Sequence, residues 1–128
     1  MNPRDRKYAE THEWALLEGK TVTVGITQHA VHELTDLVYI ELPEVGAEIK
    51  ANEAFGEIES VKAVSELLSP VDGQIVAVNK ELNDDLDPIG RDPYGEGWMI
   101  RIEATNPSQL NSLLSAEEYE KRTESKDK

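Results

Sequence analysis

Short runs in which apolar residues recur at every second position dominate this chain, with Gly, Pro and Asn between them. That period sends successive side chains to opposite faces of a pleated strand, so each run predicts a half-buried β-strand. His12 to Leu17 and Lys20 to Ile26 flank Glu18-Gly19 and predict a hairpin, with Val22, Val24 and Ile26 on one face. Leu37 to Leu42 predicts another strand. Phe55 to Ile58 and Val64 to Leu68 enclose the polar link Glu59-Ser60-Val61-Lys62-Ala63, a second hairpin over about residues 55–68. Further on, Trp98, Ile100 and Ile102 are expected to face a core, opposite Met99, Arg101 and Glu103. Trp14, Tyr39 and Phe55 join Trp98 as expected core aromatics.

Helical signals are few. Thr27 is placed to cap a short internal helix ending at Leu34, its hydroxyl accepting a backbone N–H. Asn106-Pro107-Ser108-Gln109 reads as a cap followed by Pro at the first helical position. Ser115-Ala116-Glu117-Glu118 has capping-box spacing ahead of Tyr119. C-terminal helices are therefore expected over about residues 107–122, with fraying from Thr123. Pro43-Glu44-Val45-Gly46 and Pro70-Val71-Asp72-Gly73 form a weak repeat offset by 27 residues, with Lys62 almost midway. Two related half-units around a central hairpin predict a quasi-symmetric pair of small sheets. Gly46 and Gly73 are expected to supply turns that a Cβ would hinder.

The pattern amounts to a mainly β fold with helices outside it, in a single domain over residues 1–128. The absence of cysteine removes disulfides, thiolate metal sites and a cysteine nucleophile, and fits a reducing compartment. The charged N-terminus has no apolar h-region and no segment approaches a membrane span, so a soluble cytoplasmic protein is expected. Net charge is −13, and residues 33–59 hold eight acids against Lys50 alone. Phosphate binding requires the opposite sign, which makes nucleic acid a poor ligand. The charge serves solubility or steers the protein toward basic partners. His12, Glu13, His29 and His32 contain no metal motif such as H-E-x-x-H, and the His29/His32 spacing belongs to a short surface helix. Neither a metal nor a catalytic residue is expected.

Lys62 at the hairpin tip is held out toward water on a four-carbon stem, which makes it a good attachment point and a poor catalyst. The stretch Glu59-Ser60-Val61-Lys62-Ala63, followed by Ser69-Pro70-Val71 and Gly73, resembles the lipoylation hairpin of the H-protein family of the glycine cleavage system. Tyr8 with Thr11-His12-Glu13-Trp14, Val24-Gly25-Ile26-Thr27 with His29-Ala30, Glu41-Leu42-Pro43-Glu44-Val45-Gly46, and Pro93-Tyr94 with Gly97-Trp98 resemble its other blocks in order. The resemblance implies a barrel-sandwich hybrid, a flattened β-barrel of two small sheets, with lipoic acid in amide linkage to Lys62. It also implies a non-enzymatic carrier with three client enzymes. A pyridoxal-phosphate glycine decarboxylase (P-protein) loads an aminomethyl group onto the arm. An aminomethyltransferase (T-protein) passes the one-carbon unit to tetrahydrofolate, and dihydrolipoamide dehydrogenase (L-protein) reoxidises the dithiol. By the same resemblance Thr11, Glu13 and Glu66 line the cleft for the loaded arm, with Thr11 and Glu66 in place of the family's frequent serine and aspartate. Glu59 and Gly73 match the positions that a lipoate-attaching enzyme reads.

Alternatives remain open from sequence. A lipoyl domain of a 2-oxo acid dehydrogenase complex typically carries aspartate before its lysine, where Val61 stands, and lacks the Thr11–Glu13 block. An H-like protein that relays lipoate to other enzymes has the same signature. A small hydrolase using Glu13, Glu66 and a histidine lacks a nucleophile elbow and an oxyanion motif. A plain acidic interaction module needs no cofactor. A carrier that must undock freely is expected to be a monomer.

Overall fold

The computed structural model of the chain describes residues 3–126. In chain order the elements are β1 (Lys7–Tyr8), β2 (Glu13–Glu18), β3 (Thr21–Ile26), α1 (Gln28–Leu34), β4 (Leu37–Glu41), β5 (Glu48–Ile49), β6 (Ala54–Ser60) and β7 (Val64–Leu68). Then follow β8 (Gly73–Val78), α2 (Asp87–Arg91), β9 (Ile100–Ala104) and α3 (Ala116–Lys126), with 3-10 turns at Lys80–Asn83 and Pro107–Ser112. All strand pairs are antiparallel, in one sheet ordered β1-β2-β3-β9-β8-β5 and a second ordered β4-β6-β7. The sheets do not close on each other. One core joins them, with Val22, Val24, Ile75, Ile100 and Ile102 from the larger and Ile40, Ile58 and Leu67 from the smaller. This is the barrel-sandwich hybrid architecture, mainly β with few helices.

The sequence signals map closely onto these elements. Gly19 turns the β2–β3 hairpin at φ +65°, a left-handed conformation that glycine adopts without strain. Thr27 caps α1, its hydroxyl accepting the Ala30 N–H at 3.2 Å. The Ser115 box is reciprocal, with Glu118 N–H donating to the Ser115 hydroxyl at 3.2 Å and Ser115 N–H to Glu118 Oε1 at 3.0 Å. Behind that cap, Ala116 and Tyr119 pack with Tyr8 and Trp14 in a second, smaller core.

Several expectations are corrected. Met99 is fully buried, whereas Trp98 is only half-buried beneath the Arg101 guanidinium, 4.2 Å from its ring. The strand starts at Ile100, so the period-two pattern does not reach back to residues 98 and 99. Tyr39 is 51% exposed and lies outside the core. The two sheets are unequal, although the repeat itself is real: β5 and β8, which follow the two P-x-x-G turns, pair with each other. Gly46 supplies its turn at φ +98°, but Gly73 has ordinary strand dihedrals. What Gly73 provides is room, because a Cβ there would stand 2.3 Å from the Glu103 carbonyl oxygen. Asn106 makes no capping bond to the backbone and instead accepts from the Ser108 hydroxyl at 2.5 Å, ahead of a 3-10 turn. Finally, α3 continues to Lys126, past the expected fraying point at Thr123, with no Gly or Pro to stop it. Residues 127 and 128 of the expected tail lie outside the described residues.

Candidate functional site

Lys62 sits between β6 and β7, and its hairpin tip is fastened from two sides. Ser60 N–H donates to the Ala63 carbonyl at 2.8 Å, and Ala63 N–H donates to the Ser60 hydroxyl at 3.1 Å, closing a tight loop around Val61 and Lys62. Val61 N–H donates to the Asp36 carbonyl at 2.9 Å, tying the tip to the start of β4. Lys62 itself is exposed and takes part in none of the ion pairs among the described residues. The backbone is held while the amine remains available, which suits an acylated attachment point. Lys62 is thus an exposed amine on a fastened backbone.

The structure also brings Thr11, Glu13 and Glu66 together. They line one cleft of about 80 Å³ with Glu33, Ile58 and Leu67. Glu13 opens β2 and is 2% exposed. One carboxylate oxygen accepts the Thr11 hydroxyl and the other accepts the Leu68 N–H at 2.9 Å, so Glu13 bridges the two sheets at the end of β7. Burial pushes its carboxyl above the ordinary range, and those two donors offset part of the rise. Glu66 is four positions beyond Lys62, which puts their Cα atoms at most about 13 Å apart at roughly 3.3 Å per residue. An arm of about a dozen bonds of some 1.5 Å each, zigzag-extended, covers a similar distance. A group carried at its end can fold back along β7 to the cleft.

Glu33, on the last turn of α1, is a cleft residue that periodicity and spacing do not reveal. Its Oε1 lies 2.7 Å from His29 Nε2 one turn earlier, though not in line for a regular hydrogen bond. Behind it the His12 and His29 rings are 4.8 Å apart, and His12 Nδ1 is 2.6 Å from the Tyr119 hydroxyl. That hydroxyl lies 2.7 Å from Thr27 Oγ1, and burial holds the phenol well above its ordinary titration range. His32 is exposed, and among the described residues no three His, Cys, Asp or Glu stand together to hold a metal ion. A larger cavity, about 890 Å³, lies between residues 10–12 and α3 and shares only Thr11 with the expected site residues. Glu59 is on the smaller sheet, in register with Tyr39 and Val64. Gly73 is on the larger, in register with Ile49 and Ala104.

A family model described as "Glycine cleavage H-protein" matches residues 6–126. The chain belongs to that family. It is 52% identical to the glycine cleavage system H protein of Anoxybacillus flavithermus over 92% of this chain and 93% of that one. It is likewise 52% identical to the Rubrobacter xylanophilus H protein over 95% of this chain and 94% of that one. The crystal structure of the Mycobacterium marinum H protein superposes with a TM-score of 0.89 at 43% identity, covering 96% of this chain and 99% of that one. Membership of the H-protein family makes the chain a lipoyl carrier of glycine cleavage. The match runs through the N-terminal block and α3, so the lipoyl-domain alternative is not favoured. Among the described residues no helix is long and apolar enough to cross a membrane.

Proposed function

We propose that this H-protein carries lipoate in amide linkage on Lys62 and that Thr11, Glu13 and Glu66 receive the ammonium end of its cargo. The observation that carries the reading is the pairing of an exposed lysine at a fastened hairpin tip with a buried carboxylate in a cleft one arm's length away. When bound, lipoate supplies a dithiolane that accepts two electrons and one transferable group. The chain supplies everything else. Ser60 and Asp36 hold the tip still, so the amine is presented at a constant position. Thr11 and the Leu68 amide orient the Glu13 carboxylate, which in its ionised form is a strong acceptor for an alkylammonium. Ile58 and Leu67 keep water from that contact.

Its clients are a pyridoxal-phosphate glycine decarboxylase, an aminomethyltransferase and dihydrolipoamide dehydrogenase, and a lipoate-attaching enzyme modifies it first. The protein turns over no substrate itself, works as a monomer in the cytoplasm, and comprises one domain over residues 1–128. Glu59 is read by the attaching enzyme. Gly73 acts indirectly, by letting β8 lie close against β9. Exchange of the glycine carboxyl carbon with bicarbonate, catalysed by purified decarboxylase, tests the assignment. The lipoylated chain should support exchange, and the unmodified chain and Lys62→Arg should not. Exchange supported by Lys62→Arg would rule the assignment out.

A further inference from the structure

The smaller sheet turns one face outward, and strand register orders that face in two rows. Tyr39, Glu59 and Val64 are partners across β4, β6 and β7, and Glu41, Glu57 and Glu66 form the next row. Beyond Tyr39, Val64 is 58% exposed and Val61, at the tip, 72%. A bulge in β4 between Leu37 and Tyr39 leaves Val38 outward as well, at 55%. Large apolar side chains this exposed and this close together mark an interaction surface more often than chance. Carboxylates directly opposite one another on a sheet repel. None of Glu41, Glu57, Glu59 and Glu66 joins an ion pair among the described residues, so that repulsion is uncompensated in the free protein.

We infer that this face is the docking surface for the enzyme that attaches lipoate, which meets it with an apolar seat for Tyr39 and Val64 flanked by arginine or lysine. The inference rests on Lys62 being the attachment site. Reach selects the occupant. Before modification, Lys62 Nζ stands five bonds, about 6 Å, from its Cα. An enzyme acylating it must press on the immediate neighbours, Glu59 and Val64 among them, and Tyr39 borders Glu59 on the adjoining strand. Enzymes that act on the loaded arm meet its far end at the cleft, and of this face they need only Glu66, which also lines that cleft. The bond-forming step joins Nζ to the carboxyl carbon of adenylated lipoate, with AMP leaving and one proton released. Charge complementarity then raises the encounter rate, and salt lowers it.

The test uses the unmodified full-length chain with lipoate ligase, ATP and lipoate, following initial rates by intact mass. Tyr39→Ala and the pair Glu41→Lys with Glu57→Lys should each lower kcat/KM for attachment at least tenfold. Added salt should slow the wild type and leave the charge-reversed pair unchanged. A control pair on the larger sheet, Glu48→Lys with Glu103→Lys, makes the same change in net charge and should stay within twofold of wild type. Every variant should still reach complete modification on long incubation, which shows that the hairpin is folded. Face variants modified at the wild-type rate would overturn the inference, as would a control pair slowed equally. Normal attachment with slowed glycine–bicarbonate exchange would also overturn it, by giving the face to a later partner. A wild type left unmodified at Lys62 would instead sink the attachment assignment itself.

Discussion

Burial of the Glu13 carboxyl costs stability at neutral pH. Its folded-state titration is raised by burial, so the folded chain holds that proton more tightly than the unfolded chain. The associated stability is fully present below the ordinary value of 4.5 and is lost as pH rises through the raised one. Glu13→Gln removes that dependence and keeps both bonds: the amide oxygen can accept from Leu68, and the amide nitrogen can donate to the Thr11 hydroxyl. The melting temperature of the variant relative to wild type should therefore climb between pH 4 and pH 8. A difference that is flat or falling with pH would refute the assignment of a carboxyl raised by burial. The place of Glu13 in the cleft is legible from the motif that carries the family resemblance, not from hydrophobic period. Glu33 is not legible at all, because only the packing of α1 over the cleft brings it there. Tyr39 is misread for a local reason. Leu37 to Ile40 are four consecutive apolar residues, and the β4 bulge decides which of them turn outward.

At the scale of elements, the close approach of β8 to β9 depends on the lack of a single side-chain atom at Gly73. Gly73 faces both the Glu103 carbonyl and the Ile102 side chain, the latter 2.6 Å from where a Cβ would stand. Gly73→Ala must push the strands apart, and overpacking of this kind costs about 1–3 kcal/mol. Urea denaturation should show that loss, while the folded fraction is lipoylated at the wild-type rate. Slower attachment at unchanged stability would mean that the glycine is read directly. Turn and cap residues made many elements legible, since Gly19, Thr27 and Ser115 act locally, and local chemistry survives folding. Elements whose ends depend on tertiary contact were harder. The start of β9 is one case: Met99 N–H bonds to the Val24 carbonyl at 2.8 Å, and the Asn79 side chain holds the Trp98 carbonyl at 2.8 Å. Neither bond leaves a trace in the alternation of residues 98–103.

For the whole molecule, the unequal sheets divide the work. The six-stranded sheet and α3 surround the larger share of the core, and the three-stranded sheet projects the hairpin that bears Lys62. Glu13 connects the halves through Leu68, so the cleft is built where the two sheets meet. The repeat pointed to two halves, but β1, β2, β3 and β9 have no counterparts in the smaller sheet. A 27-residue echo cannot reveal strands outside itself. The acidic surplus in residues 33–59 was visible in the sequence, whereas its gathering into rows beside exposed apolar side chains appeared only with strand register. The most direct measurement of the central claim is the intact mass of the chain coproduced with a lipoate ligase in replete lipoate. The wild type should carry one lipoyl amide per chain and Lys62→Arg none. An unmodified wild type, or a lipoyl group retained by Lys62→Arg, would contradict it.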